Sequence, residues 1–237
     1  MTNRFTWSRK LLVASAVLGS VGLAALDAHA SCSSNPAPGV NWSDCRKRNL
    51  ILSDTDLSGA NMSGSELIST DLRHANLDGA NLERADLLRT VFHGASLVGA
   101  NFTKAAGYRA DFSNTDLTDV NFEKSEMQRT DFAAATLVNV NFSKASLGRA
   151  RFNDATIEDV NFDFSILARA DFRGAAMSGS INFSNAFVYL ARFEGVDLTN
   201  AEGLVQSQID MSCGDAKTVL PDGLDPSSTW PCSDEDQ

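Results

Sequence analysis

Residues 75–87 have the sequence ANLDGANLERADL, and this pattern recurs along the chain from Leu57 to Met177. Every fifth residue of that stretch is Leu, Met, Phe or Ile, except at Gly107, and we call these residues the centres. The residue two positions before each centre is Ala, Ser, Thr or Val. A period of five fits neither the 3.6-residue turn of a helix nor the alternation of a flat strand.

Self-similarity at a fixed short period predicts a solenoid, because each repeat buries its centre only when neighbouring turns stack on it. The outward residues repeat every twenty positions rather than every fifteen, which predicts four sides in each turn. Asparagine precedes a centre at Asn61, Asn81, Asn101, Asn121, Asn141 and Asn161. With about 4.8 Å for each turn, about seven turns make a rod of roughly 35 Å.

From Phe92 to Phe172 phenylalanine occupies every second centre, with Leu, Met or Ile between. In a four-sided turn this alternation puts the phenylalanines on opposite sides, where they face one another across the core. Burial of each centre contributes roughly 1.5–3 kcal/mol, so stacked centres offset the entropy lost in ordering the coil.

Three segments resemble a known family: residues 75–87, residues 109–122 (RADFSNTDLTDVNF) and residues 169–177 (RADFRGAAM). They resemble the pentapeptide-repeat family, whose motif is A(D/N)LXX, and the likeness covers residues 52–198. The resemblance implies an all-β fold, a right-handed quadrilateral β-helix. It implies no single activity.

The repeat becomes irregular towards its carboxyl end. After Met177 the next centre is Phe183, six residues on, so one extra residue is expected to bulge near 178–181. The sequence GLVQSQIDMS (203–212) predicts a short helix that caps the open end of the core. The predicted organisation is a signal peptide (1–30), an amino-terminal cap (31–49), the β-helix (50–203) and a carboxyl-terminal cap and tail (204–237).

Residues 1–30 have the composition of a secretion signal: a basic start, an uncharged apolar run over 11–26 and the small-x-small site Ala28-His29-Ala30. The run is short for a membrane span, and a retained anchor is the alternative. Cleavage would give a soluble periplasmic or secreted chain without a membrane span. Loss of three basic residues and one acidic residue changes the net charge from −10 to −12. Such a charge disfavours direct nucleic-acid binding.

All four cysteines lie outside the repeats, at Cys32, Cys45, Cys213 and Cys232. In an exported protein an even count indicates disulfides, and three pairings are possible. A rod keeps its two ends apart, which favours Cys32–Cys45 and Cys213–Cys232. Each bond would close a loop of roughly 15–20 residues and contribute about 3 kcal/mol. Four free thiols are the alternative.

Trp42 and Gly107 each allow two interpretations. Trp42 is expected to cover the first turn, with a ligand-stacking ring as the alternative. Gly107 is a centre without a side chain, which predicts a local bulge with Phe102 and Phe112 filling the gap. The alternative is a dent that a ligand enters.

The sequence offers little catalytic chemistry. It has no Gly-rich phosphate loop and no HExxH or GxSxG motif, and a solenoid with flat sides offers no deep pocket. We therefore expect no enzyme activity and no cofactor. His74 and His93 lie on the same side of adjacent turns, but two histidines without a convergent carboxylate are more typical of a surface than of a metal site.

One side of the predicted coil combines outward apolar residues, including Ile166 and Phe187, with a column of arginines. Apolar side chains flanked by arginine are typical of binding surfaces. The candidate binding surface consists of Arg89, Arg109, Arg129, Arg149, Arg169, Tyr108, Tyr189 and Leu88. In the alternative, arginines pair with the aspartates two residues on, at Asp111, Asp131 and Asp171, and the column is a solvated face.

These patterns predict a non-catalytic, exported binding or scaffold protein that presents a flat side to an unidentified protein partner or, as a homodimer, to itself. The family resemblance implies an alternative, since some members resemble B-DNA in size and negative charge and inhibit type II topoisomerases such as gyrase. That target is cytoplasmic, which conflicts with a signal peptide. A third hypothesis is an envelope carbohydrate binder that stacks sugars on Tyr108 and Tyr189.

Overall fold

The computed structural model describes residues 30–232, which form a coil of short parallel β-bridges. Residues 1–29, which hold nearly all of the predicted signal peptide, and residues 233–237 lie outside the described part. Between Asn41 and Thr156, bridges link each residue that precedes a centre to the residue twenty positions later. One turn of the coil therefore has twenty residues, as the outward columns predict.

Five short strands are present among the described residues. Strands β1 (Thr136–Val138), β2 (Thr156–Glu158) and β3 (Ala176–Ser178) form a parallel sheet in the order β1–β2–β3. Strands β4 (Ile181–Asn182) and β5 (Ala201–Glu202) pair in parallel. The strands are short because a corner follows every two or three extended residues.

Helix α1 covers Gln206–Met211, within the stretch that the sequence predicts to be helical. Its Gln208 is buried, and Nε2 of this residue donates hydrogen bonds to the carbonyl oxygens of Phe183 (3.1 Å) and Ala186 (2.9 Å). After the helix the chain returns to the coil, because Cys213 forms a parallel bridge with Arg192. No helix within residues 30–232 has the length and apolar character needed to cross a lipid bilayer.

Each corner of the coil is a tight turn. At one of them the backbone N–H of Ala60 donates to the carbonyl oxygen of Leu57 over 3.0 Å. The second residue after the centre adopts a left-handed backbone conformation, with φ of 56° at Arg89 and 58° at Arg109. This conformation is the one that the third position of a type II turn requires. The arginine column therefore runs along one corner of the coil.

The core contains the two facing phenylalanine columns that the sequence predicts. Within one column the rings of Phe132 and Phe152 are stacked, with centroids 5.1 Å apart and planes at 7°. Phe142, from the opposite column, meets Phe132 edge to face at 5.5 Å. All three side chains are fully buried. Such ring pairs contribute about 0.5–1.5 kcal/mol each beyond the burial of their area.

The asparagine column forms a hydrogen-bonded ladder along the coil. Nδ2 of Asn101 donates to Oδ1 of Asn81 over 3.1 Å, and the same bond links later turns. After β3 the register changes from twenty to twenty-one residues, because Asn161 bridges Asn182. This change confirms the extra residue predicted near 178–181.

The bulge predicted at Gly107 is wrong. The backbone N–H of Gly107 donates to the carbonyl oxygen of Glu126 over 2.8 Å, and Ala106 bridges Glu126, so the register is unbroken. The sulfur of Met127, on the next turn, lies where a Cβ on Gly107 would stand. A flexible methionine fills the gap in place of the neighbouring phenylalanines. The alternative of a dent is also wrong, because Gly107 is buried.

The coil register begins at Asn41, inside residues 31–49, so Trp42 and Lys47 occupy centre positions. Trp42 is fully buried, which leaves no ring face for a ligand to stack on. Nζ of Lys47 lies 3.9 Å from the centroid of the Trp42 ring and donates to the carbonyl oxygen of Cys32 over 2.8 Å. Burial lowers the pKa of Lys47.

Two disulfides join the cysteines in the favoured pairing, so the alternative of free thiols does not hold. Cys32–Cys45 and Cys213–Cys232 each have a Cα–Cα distance of 5.4 Å and span 13 and 19 residues of sequence. One bond lies at each end of the coil. Each therefore restrains a segment that the repeats themselves do not hold.

Candidate binding surface and an arginine-lined cleft

The structure places the candidate surface along one corner of the coil and the side next to it. Arg89, Arg109, Arg129 and Arg149 are exposed, whereas Arg169 and Leu88 are partly buried. Tyr108 is 39% and Tyr189 is 46% exposed, and the register places four turns between them. The predicted residues thus form a line along the coil and do not converge on one point.

The exposed apolar residues are concentrated at the carboxyl-terminal end of this side. Ile166 and Phe187 bridge one another on adjacent turns and are 47% and 49% exposed. The ring of Phe187 is stacked on that of Tyr189, with centroids 6.2 Å apart. Nearer the amino-terminal end of this side, the guanidinium group of Arg109 lies 5.3 Å from the centroid of the Tyr108 ring, within cation–π distance.

The predicted pairing of corner arginines with the aspartates two residues on is wrong for Arg109 and Arg129. Neither arginine forms an ion pair within residues 30–232. Asp131 pairs instead with Arg151, at 3.0 Å. The bridge between Asp131 and Arg151 puts these two side chains next to each other on adjacent turns, whereas the arginine two residues earlier lies at the corner.

A cleft of about 310 Å³ opens near the carboxyl-terminal end of the arginine column, and we call it the arginine cleft. Its lining residues are Arg149, Arg151, Arg169, Asp171, Arg173, Leu190 and Arg192. Sequence reasoning identified only Arg149 and Arg169. The other arginines are absent from the repeating column and come together only when successive turns stack.

Ion pairs hold two of the arginines that line the arginine cleft. Nη2 of Arg173 lies 2.6 Å from Asp171, and Nη2 of Arg192 lies 2.6 Å from Glu194. Burial alone would raise the pKa of Asp171, but hydrogen bonds from Arg173 and Asn153 hold the pKa of this carboxyl below its ordinary value. Asp171 therefore stays ionised and keeps the Arg173 guanidinium in place.

A second cleft, of about 380 Å³, lies five turns earlier on the same edge of the coil, and we call it the amino-terminal cleft. Its lining residues are Ser69, Asp71, Arg73, Val91, His93 and Asp111. One arginine and two aspartates line it, so the sign of its charge is the reverse of that of the arginine cleft.

His93 lines the amino-terminal cleft, and His74 lies next to His93. Their ring centroids are 5.9 Å apart in an edge-to-face arrangement. Nδ1 of His93 lies 2.8 Å from the hydroxyl oxygen of Ser113. Across residues 30–232, no group of three or more His, Cys, Asp or Glu side chains is arranged to hold a metal ion.

The sequence profile described as Pentapeptide repeats matches this chain in eight copies. The matched residues are 51–87, 85–123, 116–154, 125–163, 145–181 and 157–195, more than half of the chain. The chain belongs to the pentapeptide repeat family and has that family's fold, the right-handed quadrilateral β-helix.

Solved structures of pentapeptide repeat proteins are similar to this chain. HetL, involved in heterocyst differentiation regulation in the cyanobacterium Nostoc sp. strain PCC 7120, is 23% identical, with 81% of this chain and 94% of that one covered and a TM-score of 0.39. A trypsin-treated variant of QnrB1, a plasmid-mediated fluoroquinolone resistance protein, is 20% identical, with 78% and 84% covered and a TM-score of 0.45. A protein of the Arabidopsis thaliana thylakoid lumen is 24% identical, with 67% and 77% covered and a TM-score of 0.17. No curated protein sequence matches this chain.

Proposed function

We propose that this protein is a non-catalytic, exported binding or scaffold module that presents the arginine-bearing side of its coil to a protein partner or to a second copy of itself. The observation that carries the proposal is the cluster of Ile166, Phe187 and Tyr189, each 46–49% exposed on one flat side. Aromatic residues and arginine are the types enriched where proteins bind one another. Family membership supports a non-catalytic role, since these proteins are generally scaffolds or binders.

The proposal includes the organisation of the chain. A signal peptide (1–30) would be removed on export, leaving a cap (31–49), a β-helix of about seven turns (50–203) and a carboxyl-terminal cap and tail (204–237). Both caps continue the coil in part, because bridges in register begin at Asn41 and extend to Cys213 and Val219. The full burial of Ile209 in α1 supports a capping role for this helix. The two disulfides support a periplasmic or secreted location, because such bonds persist in oxidising compartments.

Site-specific photo-crosslinking in the native host tests the proposal. Ala168 follows a centre on the proposed side, and Val138 follows a centre on the opposite side and is the matched control. We expect crosslinked products from a photoreactive residue at position 168 and few from position 138. A product of twice the chain's mass indicates self-association, and any other mass indicates a separate partner.

A double variant, Phe187→Ala with Tyr189→Ala, sharpens this test. Loss of two central aromatic side chains should lower the crosslinking yield from position 168 at least about tenfold, because removal of interface hot spots weakens binding by that much. Equal crosslinking yields at positions 168 and 138, or an unchanged yield in the double variant, contradict the proposal.

The same mature protein tests the two other functions. Inhibition of gyrase in a DNA supercoiling assay would replace the proposal with topoisomerase inhibition. Carbohydrate binding has a specific observation in its favour, because the stacked rings of Phe187 and Tyr189 offer an aromatic platform. Saturable binding of cell-wall fragments that Tyr189→Ala abolishes would support that function instead.

A further inference from the structure

We propose that the arginine cleft binds a tetrahedral dianion, the group present in a phosphate monoester and in inorganic sulfate. This inference rests on the proposed function and deepens it, because it names the chemistry that one part of the binding surface recognises. Its evidence is the charge of the cleft, the unused donors of two arginines and the arrangement of those donors.

The arginine cleft is positively charged within an acidic protein. Five arginines and one aspartate line it, and Arg151, Arg173 and Arg192 form ion pairs with Asp131, Asp171 and Glu194. The lining therefore has more positive than negative groups, whereas the chain as a whole has a net charge of −10. A concave surface of one sign focuses its field, so this cleft concentrates anions that the rest of the protein repels.

Two of the lining arginines keep donors for a ligand. Arg149 is exposed and forms no ion pair within the described range, residues 30–232. Arg151 has a side chain that is 58% exposed, and its Nη1 contacts Asp131 at 3.0 Å. A guanidinium group carries five N–H donors, so one such contact leaves most of the donors of Arg151 unused.

The donors approach the cleft from two directions. Arg149 lies at the corner of the coil, with φ of 58°, whereas Arg151 lies on the adjacent face, where it bridges Asp171. Donors from a corner and a face surround an anion better than donors from one flat side. Leu190 follows Arg169 in the corner column and ends the run of arginines, so the cleft has an apolar boundary at this end.

Comparison with the amino-terminal cleft indicates that the anion site is specific to the arginine cleft. It has the same place on the coil and a similar volume, about 380 Å³, but two aspartates and one arginine line it. The repeat therefore does not create an anion site wherever the turns stack. Of these two clefts, only the one near the carboxyl-terminal end has an excess of arginine.

Isothermal titration calorimetry on the mature, disulfide-bonded protein tests the inference, with sodium sulfate, glycerol 1-phosphate and succinate as probes. We expect sulfate and glycerol 1-phosphate to bind at one site. Arg149→Gln should weaken both by about tenfold, the loss expected for a hydrogen bond between charged groups. Arg89→Gln is the matched control, because Arg89 occupies the same corner column beside Val91 and should leave the affinity unchanged.

The charge of the ligand is tested with pH. A phosphate monoester loses its second proton near pH 6, so glycerol 1-phosphate should bind several-fold more weakly at pH 5 than at pH 7.5. Sulfate stays a dianion over this range, and its affinity should stay constant. If one of the two tetrahedral probes binds more tightly than the other, the inference is supported, and the preferred probe shows whether the ligand is a phosphate monoester or sulfate. Succinate that binds as tightly as sulfate overturns it, as does an equal loss in Arg89→Gln and Arg149→Gln or no binding of either tetrahedral anion.

Crosslinking from position 168 separates the two proposals. Absent anion binding with retained crosslinking overturns only the ligand assigned to the arginine cleft. If the anion still binds but crosslinking from position 168 is no higher than from the control position, the proposed function is overturned. The cleft would then bind a small anion by itself.

Discussion

The amino-terminal cleft and the arginine cleft lie on the same edge of one coil and share a backbone plan, but they differ in charge. Each contains the same ion pair, Asp71–Arg73 in one and Asp171–Arg173 in the other, both at 2.6 Å. The difference arises because the first has two aspartates and one arginine, whereas the second has five arginines and one aspartate. In a solenoid the centres hold the turns together, so the outward residues are free to change what each stretch of surface attracts.

The largest difference that we expect between the two halves is in the stability that buried core residues below the clefts contribute. Phe172 is fully buried and stacked between Phe152 at 4.7 Å and Phe193 at 5.1 Å. We expect Phe172→Ala to lower the free energy of unfolding by about 3–5 kcal/mol and Leu72→Ala by about 2–5 kcal/mol. Lost ring stacking should add about 0.5–1.5 kcal/mol to the cost for phenylalanine.

Urea denaturation followed by circular dichroism measures this difference. Ile51→Ala is the control, because that side chain is 82% exposed and should change stability by no more than about 0.5 kcal/mol. A larger loss of unfolding free energy for Leu72→Ala than for Phe172→Ala would contradict a contribution from stacked phenylalanines.

The next largest effect concerns the two ends of the coil, where the disulfides span 13 and 19 residues. Loops of these lengths predict nearly equal stabilisation, about 3 kcal/mol for each bond. We therefore expect Cys32→Ser with Cys45→Ser, and Cys213→Ser with Cys232→Ser, to lower the midpoint of thermal unfolding by similar amounts. If one pair can be removed without a change in the midpoint, its segment is held by other contacts.

Acid should destabilise the two clefts by a smaller amount. The hydrogen bond from Arg73 lowers the pKa of Asp71, and the hydrogen bonds of Arg173 and Asn153 outweigh burial to lower that of Asp171. A lowered pKa in the folded state gives stability that is present above the ordinary aspartate pKa of about 4 and is lost as pH falls through the lower folded value.

Denaturation at about pH 6 and about pH 3 measures this acid sensitivity. Asp171→Asn should reduce the acid-induced loss by at most about 1 kcal/mol, and Asp71→Asn by less, because partly exposed ion pairs contribute little. An acid-induced loss that is larger in Asp171→Asn than in the parent protein would mean that the pKa of Asp171 is raised rather than lowered.

The smallest expected effect comes from placing an arginine in the amino-terminal cleft. Val91 bridges Asp71 and Asp111, as Arg151 bridges Asp131 and Asp171. We expect Val91→Arg to change stability by no more than about 0.5 kcal/mol, since the position is on the surface. The added side chain would lie between two aspartates, so calorimetry should find the same sulfate affinity in the Val91→Arg, Arg149→Gln double variant as in Arg149→Gln alone. Tighter sulfate binding in the double variant would show that one added arginine is enough to make the amino-terminal cleft an anion site.

Much of the fold could be predicted because its determinants repeat. The spacing of the centres predicted turns of twenty residues, and the extra residue before Phe183 predicted the shift in register. Prediction was wrong at Gly107, because the side chain that fills the gap comes from Met127, twenty residues later. It was also wrong for the partner of Asp131, which the next turn supplies.

The sequence by itself determined the period, the inward and outward positions and the pairing that the cysteines favour, because each of these depends on residue type at a fixed spacing. Only the tertiary structure decided which outward side chains meet. Arg149 lies at a corner, whereas Arg151 and Arg192 lie two turns apart in one column of the adjacent face, and their common cleft exists only once those turns are stacked. The charge of a place on this surface is therefore a property of neighbouring turns, which spacing within one turn cannot specify.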